Sequence, residues 1–205
     1  MRLTAPLDDV LVTRSHLRVL RALDALPVGV PASGRQLARR AGVSHTAASR
    51  ALSGLADEGV VLARPYGRAD YYELNREHVL YEGLRALFKR ETGLKNDLIE
   101  FLSREIRRRL PRVRRAYIFG SAARDDMHKG SDIDLAVIAS GRDQERVEAE
   151  VAGIEAEVRR RFGGRLNTII ATGPIGKLTQ PRRPGRELWR RIEREGVPVL
   201  TGVEH

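Results

Sequence analysis

Residues 116–139 read AYIFGSAARDDMHKGSDIDLAVIA, and the spacing inside this stretch decides the fold. An apolar run, Tyr117-Ile118-Phe119, leads into Gly120-Ser121, and ten residues separate Ser121 from Asp132-Ile133-Asp134-Leu135. Along a strand, residues two apart point the same way, so Asp132 and Asp134 present paired carboxylates while Ile133 and Leu135 face a core. Two hard anionic ligands on a rigid strand suit Mg²⁺, which takes oxygen ligands and completes its shell with water and substrate phosphates. Gly120 lets the backbone come close to a ligand. A helix opening at Ser121 aims free N–H groups and a positive dipole end at phosphate. Phosphate cradle and carboxylate pair together describe a site for a nucleoside triphosphate and a metal ion.

With glycine, serine, spacing and both aspartates in place, the stretch resembles the DNA polymerase β-like nucleotidyltransferase superfamily. Within it the likeness is to the minimal nucleotidyltransferases, which are often paired with HEPN proteins. The resemblance implies a mixed sheet with flanking helices. It implies catalytic and metal-binding roles for Asp132 and Asp134, triphosphate contacts at Gly120 and Ser121, Mg²⁺ as cofactor, and a HEPN-type protein partner. Arg124, three residues past Ser121, is placed to offset phosphate charge.

The chain has 205 residues, room for one domain or two small ones, and a hydrophobic content of 41% supplies real cores. Its net charge of +10 points to polyanionic partners, nucleic acid or nucleotide. The absence of cysteine excludes disulfides and thiolate metal sites and fits a reducing, cytoplasmic setting. The apolar runs fall short of a membrane span, and Met1-Arg2-Leu3 does not lead into a signal-peptide core. The five histidines have no ligand spacing.

Upstream, a helical pattern begins at Ser15, with Val19, Leu20, Leu23 and Leu26 on one face, and ends at Pro27 and Gly29. Ser33 with Gln36 forms a capping box that opens a second helix, Gly42 supplies a tight turn, and Ser44 caps a third. Ala48, Ala51, Leu52 and Leu55 are the buried stripe of that third helix, which stops at Gly59. Val60-Val61-Leu62 and Tyr71–Leu74 read as two strands joined by a turn at Pro65-Tyr66-Gly67-Arg68. This order resembles a winged helix-turn-helix of the MarR and ArsR type. Ser44, His45, Thr46, Ser49 and Arg50 lie off the buried stripe, where a recognition helix reaches base edges. Arg50 suits guanine, and the small polar residues suit bases or phosphate. Arg64 and Arg68 flank the wing, in reach of a minor groove or phosphate. Double-stranded DNA is the expected partner and transcription regulation the expected setting; protein docking is the alternative use of such a domain. Regulators of this kind commonly bind two half-sites as homodimers.

The resulting organisation is α+β: a winged helix-turn-helix over 1–75, a helical linker over 76–110, and a nucleotidyltransferase-like domain over 111–205. The linker reads as two helices broken at Thr92-Gly93, lined by Leu80, Leu84, Leu87 and Phe88 and then by Leu94, Leu98, Phe101, Leu102 and Ile106. Arg104, Arg107, Arg108, Arg109, Arg112, Arg114 and Arg115 follow as a dense basic cluster, either a solvated helix end or a polyanion-binding rim. Gln144–Phe162 is amphipathic, Leu166–Ala171 is a strand, a last helix from Pro184 carries Leu188, Trp189 and Ile192, and Val197–Leu200 is its apolar partner.

One element departs from the family pattern. The superfamily places a third carboxylate on the later strand, which here reads Arg165-Leu166-Asn167-Thr168-Ile169-Ile170. Asn167, or alternatively Thr168, stands at that position, and a neutral amide cannot act as a general base. Two functions follow: transfer of a nucleoside monophosphate from an NTP with Mg²⁺, or transcriptional regulation by a degenerate domain that senses nucleotide or docks a partner.

Overall fold

A computed structural model describes residues 4–67, 69–139, 144–173, 175–181 and 183–201. The chain divides into two compact units, Met1–Thr92 and Gly93–His205. One helix contributes to both. It runs unbroken as Tyr81–Arg109, so the expected break at Thr92-Gly93 is absent. The Thr92 hydroxyl donates to the Lys89 carbonyl at 2.9 Å, which seats it inside the helix. A mid-helix glycine costs only about 1 kcal/mol, and buried residues on both sides outweigh that. Leu84 and Phe88 belong to the core of the first unit; Leu98, Phe101, Leu102 and Ile106 belong to the core of the second. Leu87 and Leu94, expected to line these helices, are instead exposed.

The first unit contains α1 (Leu7–Val10), α2 (Arg14–Asp24), β1 (Ala32–Ser33), α3 (Gly34–Ala41), α4 (His45–Asp57), β2 (Val61–Tyr66) and β3 (Ala69–Leu74), followed by the N-terminal half of α5 (Tyr81–Arg109). The Ser33 hydroxyl accepts from the Gln36 amide while the Gln36 side chain accepts from the Ser33 amide, a complete capping box. Gly42 ends α3 in the left-handed region at φ 60°, where a side chain would be strained. β2 and β3 pair antiparallel through Tyr66↔Ala69, so the strands run further toward the tip than the turn expected at Pro65–Arg68. Two elements were not legible in sequence. α1 buries Val10 completely, and β1 adds Ala32 and Ser33 to the outer side of β3.

The second unit is built on a four-stranded sheet in the order β6-β5-β4-β7, made of β4 (Val113–Phe119), β5 (Ile133–Ala139), β6 (Leu166–Thr172) and β7 (Val197–Thr201). β5 is antiparallel to β4 and parallel to β6, and β7 is antiparallel to β4, so the sheet is mixed. Between the strands lie α6 (Ser121–Arg124), α7 (Gln144–Phe162), α8 (Ile175–Leu178) and α9 (Arg186–Glu195). Alternation along β5 sends Ile133, Leu135 and Val137 into a core shared with the C-terminal half of α5 and with α7. Ala136 and Ile138 join Tyr117, Trp189 and Ile192 in a second core, with α8 and α9. Trp189 is a packing residue.

The basic cluster is partly structural. Glu105 is 6% exposed and accepts from Arg108 Nε at 3.2 Å and Arg109 Nε at 3.1 Å, with Arg104 at 3.5 Å. Arg109 also pairs with Glu157 of α7. The hydrogen bond from Arg108, more than any other contact, holds the Glu105 carboxyl below the usual carboxylate range, against the opposing effect of burial. A depressed folded pKa stabilises the fold above the unfolded value and loses that contribution as pH falls through the folded one. Glu105→Gln is therefore expected to cost about 1.5–3 kcal/mol at neutral pH. The gap to wild type should shrink below about pH 4.3. Urea unfolding at both pH values checks this, and a gap that persists in acid would contradict it.

Candidate functional site

The site begins where β4 ends. Phe119 pairs with Asp134 across the antiparallel ladder, so the next residue, Gly120, lies beside the Asp134 carboxylate. Gly120 has φ 70°, and a Cβ there would stand 2.5 Å from Asp134 Oδ2. Only glycine fits, for both reasons. The helix that opens at Ser121 is a single turn, ended at Asp125 with φ 58°. A helix does open at Ser121 as expected, but at four residues its dipole is correspondingly small. Lys95 of α5 fixes the far side of that turn: its ammonium donates to Asp125 Oδ1 at 2.7 Å and to the Ala123 carbonyl at 3.1 Å. Arg124 is half-exposed and donates from Nε to Asp126 at 3.1 Å.

Asp134 lies within β5, and Asn167 is its register partner on β6. The Asn167 amide donates from Nδ2 to Asp134 Oδ1 at 2.9 Å. Thr168 pairs with Leu135, which alternation places on the opposite face, so Asn167 occupies the position beside the aspartate. Asp132 lies just ahead of β5, not inside it, and strand alternation does not govern its direction. Its nearest ion-pair partner is Arg165 at 4.0 Å, an exposed pair of little energetic weight.

Among the described residues no group of three or more His, Asp or Glu side chains is placed to hold a metal ion. Of the two aspartates expected to hold Mg²⁺, Asp134 lines the cleft described below, with its Oδ2 beside Gly120, and Asp132 lies ahead of the strand. A single strand carboxylate of this kind would leave most of a hard cation's shell to water and substrate oxygen.

These elements open onto a cleft of about 350 Å³ whose lining includes Gly120, Ser121, Arg124, Asp134, Arg191 and Glu195. Asp132 is not on that lining. Arg191 and Glu195 come from α9, some 60 residues further along the chain than Asp134. Sequence reasoning missed them, and Lys95 as well. The available signal was the spacing from Trp189 and Ile192, which fixes the buried face of α9, but no local pattern says which strand that face covers.

In the first unit, Ser44, His45, Thr46, Ser49 and Arg50 are all exposed on α4 or at its cap. The Ser44 hydroxyl accepts from the Ala47 amide at 3.2 Å and so serves the helix cap. Arg64 on β2 is exposed and ion-paired with Glu73 at 2.9 Å. Arg68 lies outside the described residues. Among the described residues no helix is long and apolar enough to cross a membrane.

Residues 99–188 match the model of the nucleotidyltransferase domain, and residues 12–68 match that of the MarR family. The chain thus joins an N-terminal MarR-like region to a C-terminal nucleotidyltransferase domain with a mixed sheet and flanking helices. Among solved structures it is similar to a toxin-antitoxin with AMP-PNP, at 16% identity over 52% of this chain and 74% of that one, with a TM-score of 0.35. It is also similar to a mutant of the toxin-antitoxin MntA-HpeT, at 15% identity over 54% and 74%, with a TM-score of 0.36. A fragment of a possible transcriptional regulatory protein from Mycobacterium bovis is 28% identical over 46% of this chain and 99% of that chain, with a TM-score of 0.29. No curated protein matches the sequence.

Proposed function

We propose that this is a DNA-binding protein whose C-terminal domain binds NTP with Mg²⁺ and transfers a nucleoside monophosphate to a hydroxyl acceptor. The observation that carries the reading is the single cleft lined by Gly120, Ser121, Arg124 and Asp134. Gly120 gives phosphate close access to the backbone, Ser121 offers a hydroxyl and an amide, and Arg124 offsets charge. Asp132 and Asp134 would hold Mg²⁺, which supplies charge neutralisation at the phosphates. In transfer, the acceptor oxygen bonds to the α-phosphorus as its hydroxyl proton passes to solvent water, the bond from the α-phosphorus to the bridging oxygen breaks, and pyrophosphate leaves with that pair of electrons.

A second reading has one specific observation in its favour. The Asn167 amide donates to Asp134, where the superfamily pattern has an anionic ligand, and it offers no base for the acceptor proton. On this reading the domain binds nucleotide and regulates, without turnover. Incubation with each labelled NTP and Mg²⁺ or Mn²⁺ separates the two: label transferred to protein or RNA supports the enzyme, and bound but untransferred nucleotide supports the regulator.

For the N-terminal region, the exposed stripe of α4 supports contact with duplex DNA, in which Arg50 reads a base edge. Arg50→Ala is expected to weaken specific binding by about 1–3 kcal/mol. Fluorescence anisotropy on operator-like duplexes measures this. If the full-length protein binds no duplex at low salt, partner docking replaces DNA contact, with a HEPN-type protein as the partner to try first.

A further inference from the structure

The face of β5 that carries Asp134 also carries Ala136 and Ile138, and these pack with Trp189 and Ile192 of α9. The chain leaves α9 by a tight turn. A Cβ on Gly196 would stand 2.4 Å from the Ile192 carbonyl and 3.3 Å from Tyr117 Cβ, so α9 ends hard against β4. β7 then pairs Val197 with Ile118, two residues before Gly120. This geometry brings the last turn and a half of α9 to the mouth of the Gly120 cleft, and Arg191 and Glu195 line it.

The arginines of α9 differ in their partners. Arg186 pairs with Glu187, and Arg194 with Glu195. Arg191 is exposed and has no carboxylate at ion-pair distance among the described residues. The Glu195 carboxyl is held below its ordinary range first by its hydrogen bond from Arg194, with the fields of Arg191 and Arg124 adding to it. The cleft therefore has a carboxylate side at Asp134 and a guanidinium side where Arg191 and Arg124 both bear on one anion. A metal-bound triphosphate has the same two-sided character: its cation needs anionic oxygen, and its phosphates carry more negative charge than one divalent ion offsets. Guanidinium is the side chain best shaped for phosphate oxygens. The match to the nucleotidyltransferase domain ends at residue 188, before Arg191.

We infer that Arg191, together with Arg124, grips the polyphosphate of the nucleotide from the α9 side of the cleft, an assignment that rests on the nucleotide-binding reading above. Glu195 is the internal anion that shares this cationic wall when no nucleotide is bound.

The test is titration of the full-length protein with imido-bridged triphosphate analogues of ATP, GTP, CTP and UTP in Mg²⁺, and with the corresponding monophosphates. Arg191→Ala is expected to weaken triphosphate binding about tenfold or more, as for a charge-assisted hydrogen bond, and to leave monophosphate binding nearly unchanged. Arg191→Lys should recover part of the loss. Arg190→Ala, on the same helix but off the cleft lining, should bind as wild type does. Because Arg191 is exposed, thermal unfolding of the variants should match wild type. Wild-type triphosphate affinity in Arg191→Ala, or equal loss for tri- and monophosphates, would overturn the assignment and leave the nucleotide site standing. A wild type that binds none of the four analogues would overturn the nucleotide site itself, and this inference with it.

Discussion

Replacing Asp132 and Asp134 together by asparagine is expected to abolish Mg²⁺-dependent nucleotide binding. Hard dications need anionic oxygen, Asp134 is the carboxylate on the β5 side of the cleft lining, and Asp132 lies two residues before it. The loss should exceed the about 100-fold that substitutions around a metal's ligands typically reach. The fold should survive the change. An asparagine at 134 keeps a carbonyl oxygen that still accepts from the Asn167 amide, and the residue at 132 is exposed outside the strand. Thermal unfolding in metal-free buffer checks that survival, and titration with and without Mg²⁺ checks the binding. Unchanged affinity in the double variant would mean that metal takes no part in nucleotide capture.

Asn167→Asp is the substitution on which the two functional readings part. It is nearly isosteric, so packing changes little. Its effect is electrostatic: the 2.9 Å contact from the Asn167 amide to Asp134 becomes a contact between two carboxylates. Losing that hydrogen bond and setting like charges together at this exposed pair should cost up to about 1 kcal/mol in metal-free buffer. Added Mg²⁺ should recover that loss by binding the folded state alone. In the label-transfer assay, transfer by the variant but not by wild type would identify the natural protein as a nucleotide-binding regulator. Robust transfer by wild type would contradict the view that Asn167 disables the site. Mg²⁺ rescue of stability in the variant without transfer by either protein would support the placement of the two side chains and leave the acceptor as the missing component.

The parts of this molecule written in local chemistry were legible. Ser33 and Gln36 announce a helix start because two side chains and two amides must satisfy one another within four residues. Gly42 announces a stop because only a left-handed turn follows. The alternation Ile133–Leu135 placed those residues in one core and left Asp134 facing the other way, toward the cleft. The continuity of α5 is not legible in sequence because a Thr-Gly pair is a weak breaker whose cost burial on either side overrides. α1 escaped notice because a four-residue helix with one buried side chain, Val10, has no period to detect. Spacing alone puts Asp132 in the strand, although ladder pairing starts one residue later. Arg191 and Glu195 were invisible for a different reason. Their place in the cleft depends on β7 pairing with β4, a long-range contact that no spacing within α9 encodes.

We propose that the cleft between the Gly120-Ser121 turn and Asp134 binds a metal-bound nucleoside triphosphate. Isothermal titration of the full-length protein with the four imido-bridged triphosphate analogues, with and without Mg²⁺, tests it most directly. The expected result is saturable binding of at least one analogue, one site per chain, that requires Mg²⁺ and is lost in the Asp132→Asn, Asp134→Asn double variant. Absence of binding to all four, or binding that the double variant retains in full, would contradict it.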